Sequence, residues 1–168
     1  MKIKDLLTDE NTRLALEQVL NLSKPEILLN KDKELTKQEY KNYKKIIKQL
    51  NKGKPIQYIT HKAYFYNKEY YVNKNTLIPR PETEVLVNKT NELIKKHLKQ
   101  ENINILEIGT GTGIIPITLK HLNKNYTIVA TDISKKALKV AKKNQKTYNT
   151  DIIFIKTDLY KGINKNKP

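Results

Sequence analysis

The chain has 168 residues, 38% hydrophobic and 30% charged, which is room for one ordinary domain, or a small one with part of another. It has no cysteine, which excludes disulfides and thiolate metal sites, and no window approaches the roughly 20 apolar residues of a membrane helix. The opening MKIKDLLTDENTR lacks the apolar core of a secretory signal, so a soluble cytoplasmic protein is expected.

Thirty-three basic residues against 17 acidic ones leave a net charge of +16, which has two readings. Clustered Lys and Arg neutralise phosphates, which fits a nucleic-acid or ribosome-associated partner. Lys, Asn and Ile are also abundant together, and these residues share A/T-rich codons. Lysines spread along the whole chain fit that compositional background, the preferred reading, because net charge speaks to solubility and nonspecific binding rather than to fold.

Residues 1–54 read as a small basic helical bundle with no strand signal. An early helix carries Leu14, Val19 and Leu20. Ser23-Lys-Pro-Glu26 and Thr36-Lys-Gln-Glu39 each set a hydroxyl three residues before a carboxylate, a pairing that satisfies free amides at a helix start. Tyr40, Tyr43, Ile46, Ile47 and Leu50 follow at helical spacing, and Gly53 supplies a stop.

Residues 55–80 change character. Tyr58, Ile59, Tyr64, Phe65, Tyr66, Tyr70, Tyr71 and Val72 favour strands, and Asn67-Lys68 is predicted to turn a hairpin. Such aromatics suit base stacking if exposed, or a half-buried hairpin packed between domains, which is preferred. In LIPRPETEVLV (77–87), Pro79 and Pro81 keep the backbone extended up to Arg80. Pro81 suits the first turn of a helix, and Glu82 and Glu84 suit its positive end. That helix is predicted to run to about Lys99. Arg80 either contacts substrate or pairs with Glu82 or Glu84 to hold the linker; the structural role is preferred.

Strand and helix then alternate: strand 103–108, helix 114–121, strand 126–131, a helix capped by Ser134 and running to about Asn144, and strand 152–155. This alternation predicts βαβ units and a parallel sheet, an α/β fold. His61, His97 and His121 show no metal-ligand spacing, so no metal site is expected.

ILEIGTGTGIIPIT (105–118) runs from a strand through glycines into a helix, an arrangement that binds phosphates or nucleosides. The dinucleotide fingerprint G-x-G-x-x-G fits neither register: its third glycine falls on Ile114 from Gly109, and on Pro116 from Gly111. The Walker pattern is absent as well. What stands is Glu107-x-Gly109-x-Gly111-x-Gly113, which resembles the first motif of the S-adenosyl-L-methionine-dependent methyltransferases. The resemblance implies cofactor binding at Gly109, Thr110, Gly111, Thr112 and Gly113, with the threonines contributing through their backbone. It sets Glu107 near the cationic sulfonium and amino-acid tail. Asp132, closing TIVATD, is in position to accept from ribose hydroxyls, and Asp158-Leu159 to contact adenine. A glycine-rich turn in another α/β protein is the alternative, and for Asp158 a simple turn residue.

Pro55-Ile-Gln-Tyr58-Ile59, Phe65-Tyr66 and LIPRPETE (77–84) sharpen this, because they resemble the bacterial release factor glutamine methyltransferases over essentially the whole chain. The resemblance implies a helical substrate-recognition domain (1–54), a β-hairpin linker (55–80) and the N-terminal part of a Rossmann-like methyltransferase domain (81–168). It also implies methylation of the glutamine amide in the Gly-Gly-Gln motif of peptide chain release factors, in translation termination, with ribosome or RNA nearby. His61 and Asn67 stand where the family usually has Gly. Asn tolerates positive φ, whereas His61 predicts a slightly different turn.

An amide nitrogen is a poor nucleophile, and the family aligns it with an Asn-Pro-Pro-Tyr motif that occurs nowhere in this sequence. No catalytic residue is therefore assigned. The chain is expected to be an N-terminal portion whose third strand keeps an exposed edge. Two other functions stay open. A nucleic-acid amino-methyltransferase suits the charge, but IPRPETE and the helical domain speak against it. A non-catalytic module would bind a release factor or RNA without chemistry.

Overall fold

The computed structural model describes residues 1–98, 102–159 and 161. They form two compact units, Met1–Thr60 and His61–Pro168.

The first unit is helical: α1 (Ile3–Leu6), α2 (Glu10–Leu20), α3 (Lys24–Leu29), α4 (Lys37–Leu50) and α5 (Ile56–Thr60). The starts expected at Ser23 and Thr36 are present. The Thr36 amide donates to Glu39 Oε2 at 2.7 Å while the Glu39 amide donates to Thr36 Oγ1 at 3.2 Å, and the Ser23 amide donates to Glu26 Oε2 at 2.7 Å. Ile3, Ala15, Leu16 and Ile27 are fully buried beside Tyr43. One antiparallel bridge, Lys2 with Glu34, is added to the expected all-helical reading. Helix α5 corrects the strand expectation at Tyr58 and Ile59. The Tyr58 amide donates to the Pro55 carbonyl at 3.0 Å, so a local turn closes directly after a residue whose φ is preset.

The second unit contains β1 (Lys62–Phe65), β2 (Lys68–Tyr71), α6 (Glu82–His97), β3 (Asn104–Ile108), α7 (Ile114–Leu122), β4 (Thr127–Asp132), α8 (Lys135–Tyr148) and β5 (Ile152–Lys156). The predicted end of α6 at Lys99 lies outside the described residues. Strands β1 and β2 pair antiparallel with Phe65 opposite Lys68, so Tyr66 and Asn67 form the turn rather than Asn67-Lys68. Their φ values of 52° and 57° describe a type I′ turn, whose twist matches the flanking strands. Tertiary contacts hold Tyr66 there: its amide donates to Glu84 Oε1 at 2.7 Å and its hydroxyl to Asn88 Oδ1 at 2.5 Å. His61 also takes a left-handed φ of 60°, so it keeps a glycine-like backbone where a different turn was expected. Its ring stacks on Tyr71 at 5.3 Å and sets Nδ1 3.0 Å from the Val72 carbonyl oxygen.

The main sheet is parallel, in the order β3-β4-β5. Ile128, Ala130 and Ile152 face a core completed by Val87, Ile117, Leu119, Tyr126, Phe65 and Tyr70. Alternation sends Leu106, Ile108, Ile153 and Ile155 to the opposite face, where they are 46%, 47%, 49% and 36% exposed. Among the described residues β5 pairs only with β4, leaving its outer edge open, as expected. Helix α8 runs past Asn144 to Tyr148 and closes on Asn149, which has a left-handed φ of 48°. Among the described residues no helix is long and apolar enough to cross a membrane.

Candidate cofactor-binding site at the glycine loop

Strand β3 ends at Ile108, and residues 109–113 carry the chain into α7. Gly109, Gly111 and Gly113 have φ of 78°, 56° and 77°, a region that side chains resist. The next strand holds the loop. The Gly109 and Thr110 amides both donate to the Thr131 carbonyl at 2.8 Å, and the Gly111 amide donates to Asp132 Oδ2 at 2.9 Å. A Cβ built at Gly109 or Gly111 meets nothing within 4 Å, so the loop turns bare backbone toward open space.

Asp132 therefore has a role that the sequence did not suggest. Its Oδ1 accepts from the Ser134 amide at 2.8 Å, so the carboxylate clamps the loop to the start of α8. Each oxygen retains acceptor capacity for a ligand hydroxyl. Thr131 is a second organiser that sequence reasoning missed. It is fully buried, and its hydroxyl lies 3.2 Å from the Glu107 carbonyl oxygen and 3.5 Å from the Leu159 carbonyl oxygen, with one proton to donate to either. Leu159 is thus brought to the end of β4 with its side chain exposed, while Asp158 pairs with Lys161 at 2.7 Å. Thr110 and Thr112, expected as loop hydroxyls, are buried at 4% exposure each.

Beneath the loop sits Glu107. Burial pushes its carboxyl up to about 7; Thr110 opposes the rise and the Asp132 charge adds to it. The Thr110 hydroxyl favours the ionised form without making a well-directed hydrogen bond. Glu107 Oε2 and Thr110 Oγ1 are both buried and unpartnered among the described residues. Buried polar atoms are normally satisfied, so this pair is suited to a ligand that brings a donor or a positive charge.

Asn144 was read only as a helix end. It lies on the buried face of α8, 1% exposed. Its Oδ1 accepts from the Tyr71 amide at 2.8 Å, and its Nδ2 donates to the Tyr71 carbonyl at 3.0 Å and the Thr112 carbonyl at 2.9 Å. One side chain therefore ties the hairpin to the glycine loop. The available signal was a polar residue at an apolar position, with Ala137, Val140 and Ala141 on the same face.

Residues 8–60 match the PrmC N-terminal domain, and residues 84–167 match the methyltransferase small domain, a stretch that includes the whole parallel sheet and its glycine loop. The chain belongs to the methyltransferase small domain family. The resemblance read from IPRPETE is borne out as well. The release factor glutamine methyltransferase of Bacillus cereus is 36% identical over 158 residues, covering 94% of this chain and 56% of that protein. The protein of the same name from Flavobacterium psychrophilum is 40% identical over 149 residues, covering 87% and 51%. The chain spans about half the length of the curated relatives it matches.

Arg80, just before the methyltransferase small domain, departs from expectation. It makes no ion pair within 4.0 Å among the described residues, while Glu84 Oε1 accepts from the Tyr66 amide. His121 packs edge-on against Tyr148 at 5.8 Å. Among the described residues no group of three or more His, Cys, Asp or Glu is arranged to hold a metal ion.

The raised Glu107 value has a sign that can be measured. The folded domain holds this proton more tightly than the unfolded chain does. The contribution is therefore fully present below the ordinary value of 4.5 and is lost as pH rises toward and through about 7. Stability from urea unfolding is expected to decline over that window. Glu107→Gln is expected to flatten the decline, and an unchanged slope in this variant would show that another group is responsible.

Proposed function

We propose that the glycine loop binds S-adenosyl-L-methionine and that the chain serves methylation of the glutamine amide in the Gly-Gly-Gln motif of peptide chain release factors. The observation that carries the cofactor reading is the buried Glu107 Oε2, unpartnered among the described residues, beneath a loop of exposed glycine backbone. A pyrophosphate ligand would meet the Glu107 and Asp132 carboxylates, which repel it. A ligand with a sulfonium and an ammonium is attracted by both. Bound there, this cofactor supplies an electrophilic methyl group.

The chain's own residues then have separable roles. The backbone of Gly109, Thr110, Gly111, Thr112 and Gly113 admits the ligand closely. Asp132 keeps the loop in place and offers its remaining lone pairs to ribose hydroxyls. Asp158 and Leu159 flank the adenine. The substrate reading is supported by the names of the relatives and by the match of residues 8–60 to the PrmC N-terminal domain. On this reading residues 1–54 recognise the release factor, 55–80 link, and 81–168 hold the cofactor, in the cytoplasm and in translation termination.

Calorimetry of S-adenosyl-L-methionine binding to the 168-residue chain tests the cofactor step. Binding is expected, and it should tighten as pH rises through about 7, because the ligand cation favours ionised Glu107. Asp132→Asn loses one of two acceptors to backbone amides, and roughly tenfold weaker binding is expected, since a charged hydrogen bond contributes about 1.5–3 kcal/mol. Tighter binding of a dinucleotide than of S-adenosyl-L-methionine would overturn the reading. Methyl transfer from labelled cofactor, with a Gly-Gly-Gln peptide offered beside RNA and DNA, tests the substrate step. Label on the nucleic acid would refute it, and cofactor binding with no transfer would restrict the chain to a binding role.

A further inference from the structure

The strands with open edges are not protected equally. A free edge offers unpaired N–H and carbonyl groups, and a lysine on the strand is a common guard against unwanted pairing. Among the described residues β1, β2 and β5 each have an open edge, and each carries a lysine: Lys62, Lys68 and Lys156. Strand β3, Asn-Ile-Leu-Glu-Ile, also pairs on one side only and carries none, in a chain with 33 basic residues. It has no proline, and its register with β4 runs from Asn104 to Ile108 without a bulge.

The pairing with β4 shows which groups are left over. The Ile103 carbonyl accepts from the Thr127 amide and the Gly109 amide donates to the Thr131 carbonyl, so Ile103, Ile105, Glu107 and Gly109 turn their backbone toward β4. Alternation turns the N–H and carbonyl groups of Asn104, Leu106 and Ile108 to the free edge. The helix layer continues past that edge. Helix α8 packs on β4 and β5, α7 packs on β4, and α6 packs on α7, which sets α6 on the β3 side. One flank of α6 meets the hairpin, where Asn88 accepts from the Tyr66 hydroxyl. Leu86 and Leu93, two turns apart on one line, occupy the other flank and are exposed.

We infer that the free edge of β3 is a docking site for an apolar β-strand of a second polypeptide, laid parallel to β3. One set of alternate side chains of that strand rests on Leu86 and Leu93. The other set extends the cross-strand row Leu106–Val129–Ile153 on the opposite face of the sheet. Both sets are therefore apolar, the pattern of a parallel strand covered on both faces. Main-chain hydrogen bonds to Asn104, Leu106 and Ile108 supply affinity, and the two apolar faces supply selectivity. A charged peptide or a nucleic acid suits neither face. A parallel strand ends at Ile108, so the residues after it stand beside Gly109, at the carboxyl ends of the strands where such sheets bind ligands. That last consequence rests on the cofactor reading, whereas the docking rests on the sheet alone.

The probe is the portion of the Bacillus cereus relative that lies outside the match, co-expressed with the tagged 168-residue chain. A one-to-one complex is expected on purification through the tag, and its absence would overturn the inference. In the complex, hydrogen exchange at the Asn104, Leu106 and Ile108 amides is expected to slow at least about tenfold, because exchange then requires opening of the new ladder. The Ile105 and Glu107 amides, already paired with β4, should change little. Leu106→Pro removes one outward donor and leaves the β4 ladder intact. Leu86→Lys with Leu93→Lys charges the flank of α6. Each variant is expected to lose the complex, and circular dichroism checks that the chain stays folded. A control, Leu28→Lys with Leu29→Lys on α3, removes two exposed leucines elsewhere and should leave the complex intact. Equal loss in the control, or a complex in which the three edge amides still exchange fast, would overturn the inference. Slow exchange of those amides in the chain alone would also overturn it. Slowing that grows with concentration would assign the edge to a second copy, and slowing independent of concentration to the chain itself.

Discussion

Gly113→Ala is expected to destabilise the second unit by about 2–4 kcal/mol, the sum of left-handed backbone strain and a steric clash. Gly113 has φ of 77°, and its added Cβ would lie 3.1 Å from Ala141 Cβ and 3.2 Å from Ala141 Cα. The second of these is helix backbone, which has no rotamer with which to move aside. Phe154 Cζ closes the third side at 3.4 Å. The glycine lets α8 and β5 pack directly against the start of α7. Gly109→Ala and Gly111→Ala carry the strain without the clash, because open space surrounds both. They should lose only about 1–2 kcal/mol. On the cofactor reading they should weaken S-adenosyl-L-methionine binding, since the new methyl occupies ligand space. Urea unfolding of the three variants separates these effects. Equal losses at all three positions would show that packing at Gly113 contributes nothing.

Asn144→Leu should have an effect of similar size. Leucine matches asparagine in shape but leaves the Tyr71 amide, the Tyr71 carbonyl and the Thr112 carbonyl without their partner. A buried group stripped of its hydrogen bond costs about 1–3 kcal/mol, and Tyr71 is only partly buried, so a total of about 3 kcal/mol is expected. Asn144→Asp is informative because it keeps the acceptor and loses both donors. It also turns a negative charge toward two carbonyl oxygens, and it should be at least as harmful as Leu. Hydrogen exchange at the Tyr71 amide should accelerate in the Leu variant, and cofactor affinity should fall with it as the Thr112 carbonyl is released. A Leu variant as stable as the parent, with unchanged exchange at Tyr71, would refute the tie between hairpin and loop.

What was legible beforehand was local. The starts at Ser23 and Thr36 were readable because a hydroxyl and a carboxylate three residues apart satisfy each other's neighbouring amides, whatever the rest of the chain does. The glycine spacing was readable because positive φ is a property of single residues. Strand–helix alternation was readable from periodicity, and three parallel strands in chain order follow from it.

The misses share a physical cause. Tyr66 turns the hairpin, despite a propensity that points to a strand, because Glu84 and Asn88 supply its partners from α6. The hold of Asp132 on the Gly111 amide was not legible because the two groups meet only once β3 and β4 pair.

The sequence by itself determined the helix caps, the conformational freedom of the glycine loop, the order of elements and the family resemblance, because each rests on residues a few positions apart. Only the tertiary structure decided which groups serve the loop. Asn144 reaches Tyr71 across 73 positions and Asp132 reaches Gly111 across 21. Packing of neighbouring strands and helices leaves Glu107 Oε2 buried without a hydrogen-bond partner among the described residues. Hydrogen bonds and burial of that kind depend on distance in space, which residue order constrains only after the chain has closed on itself.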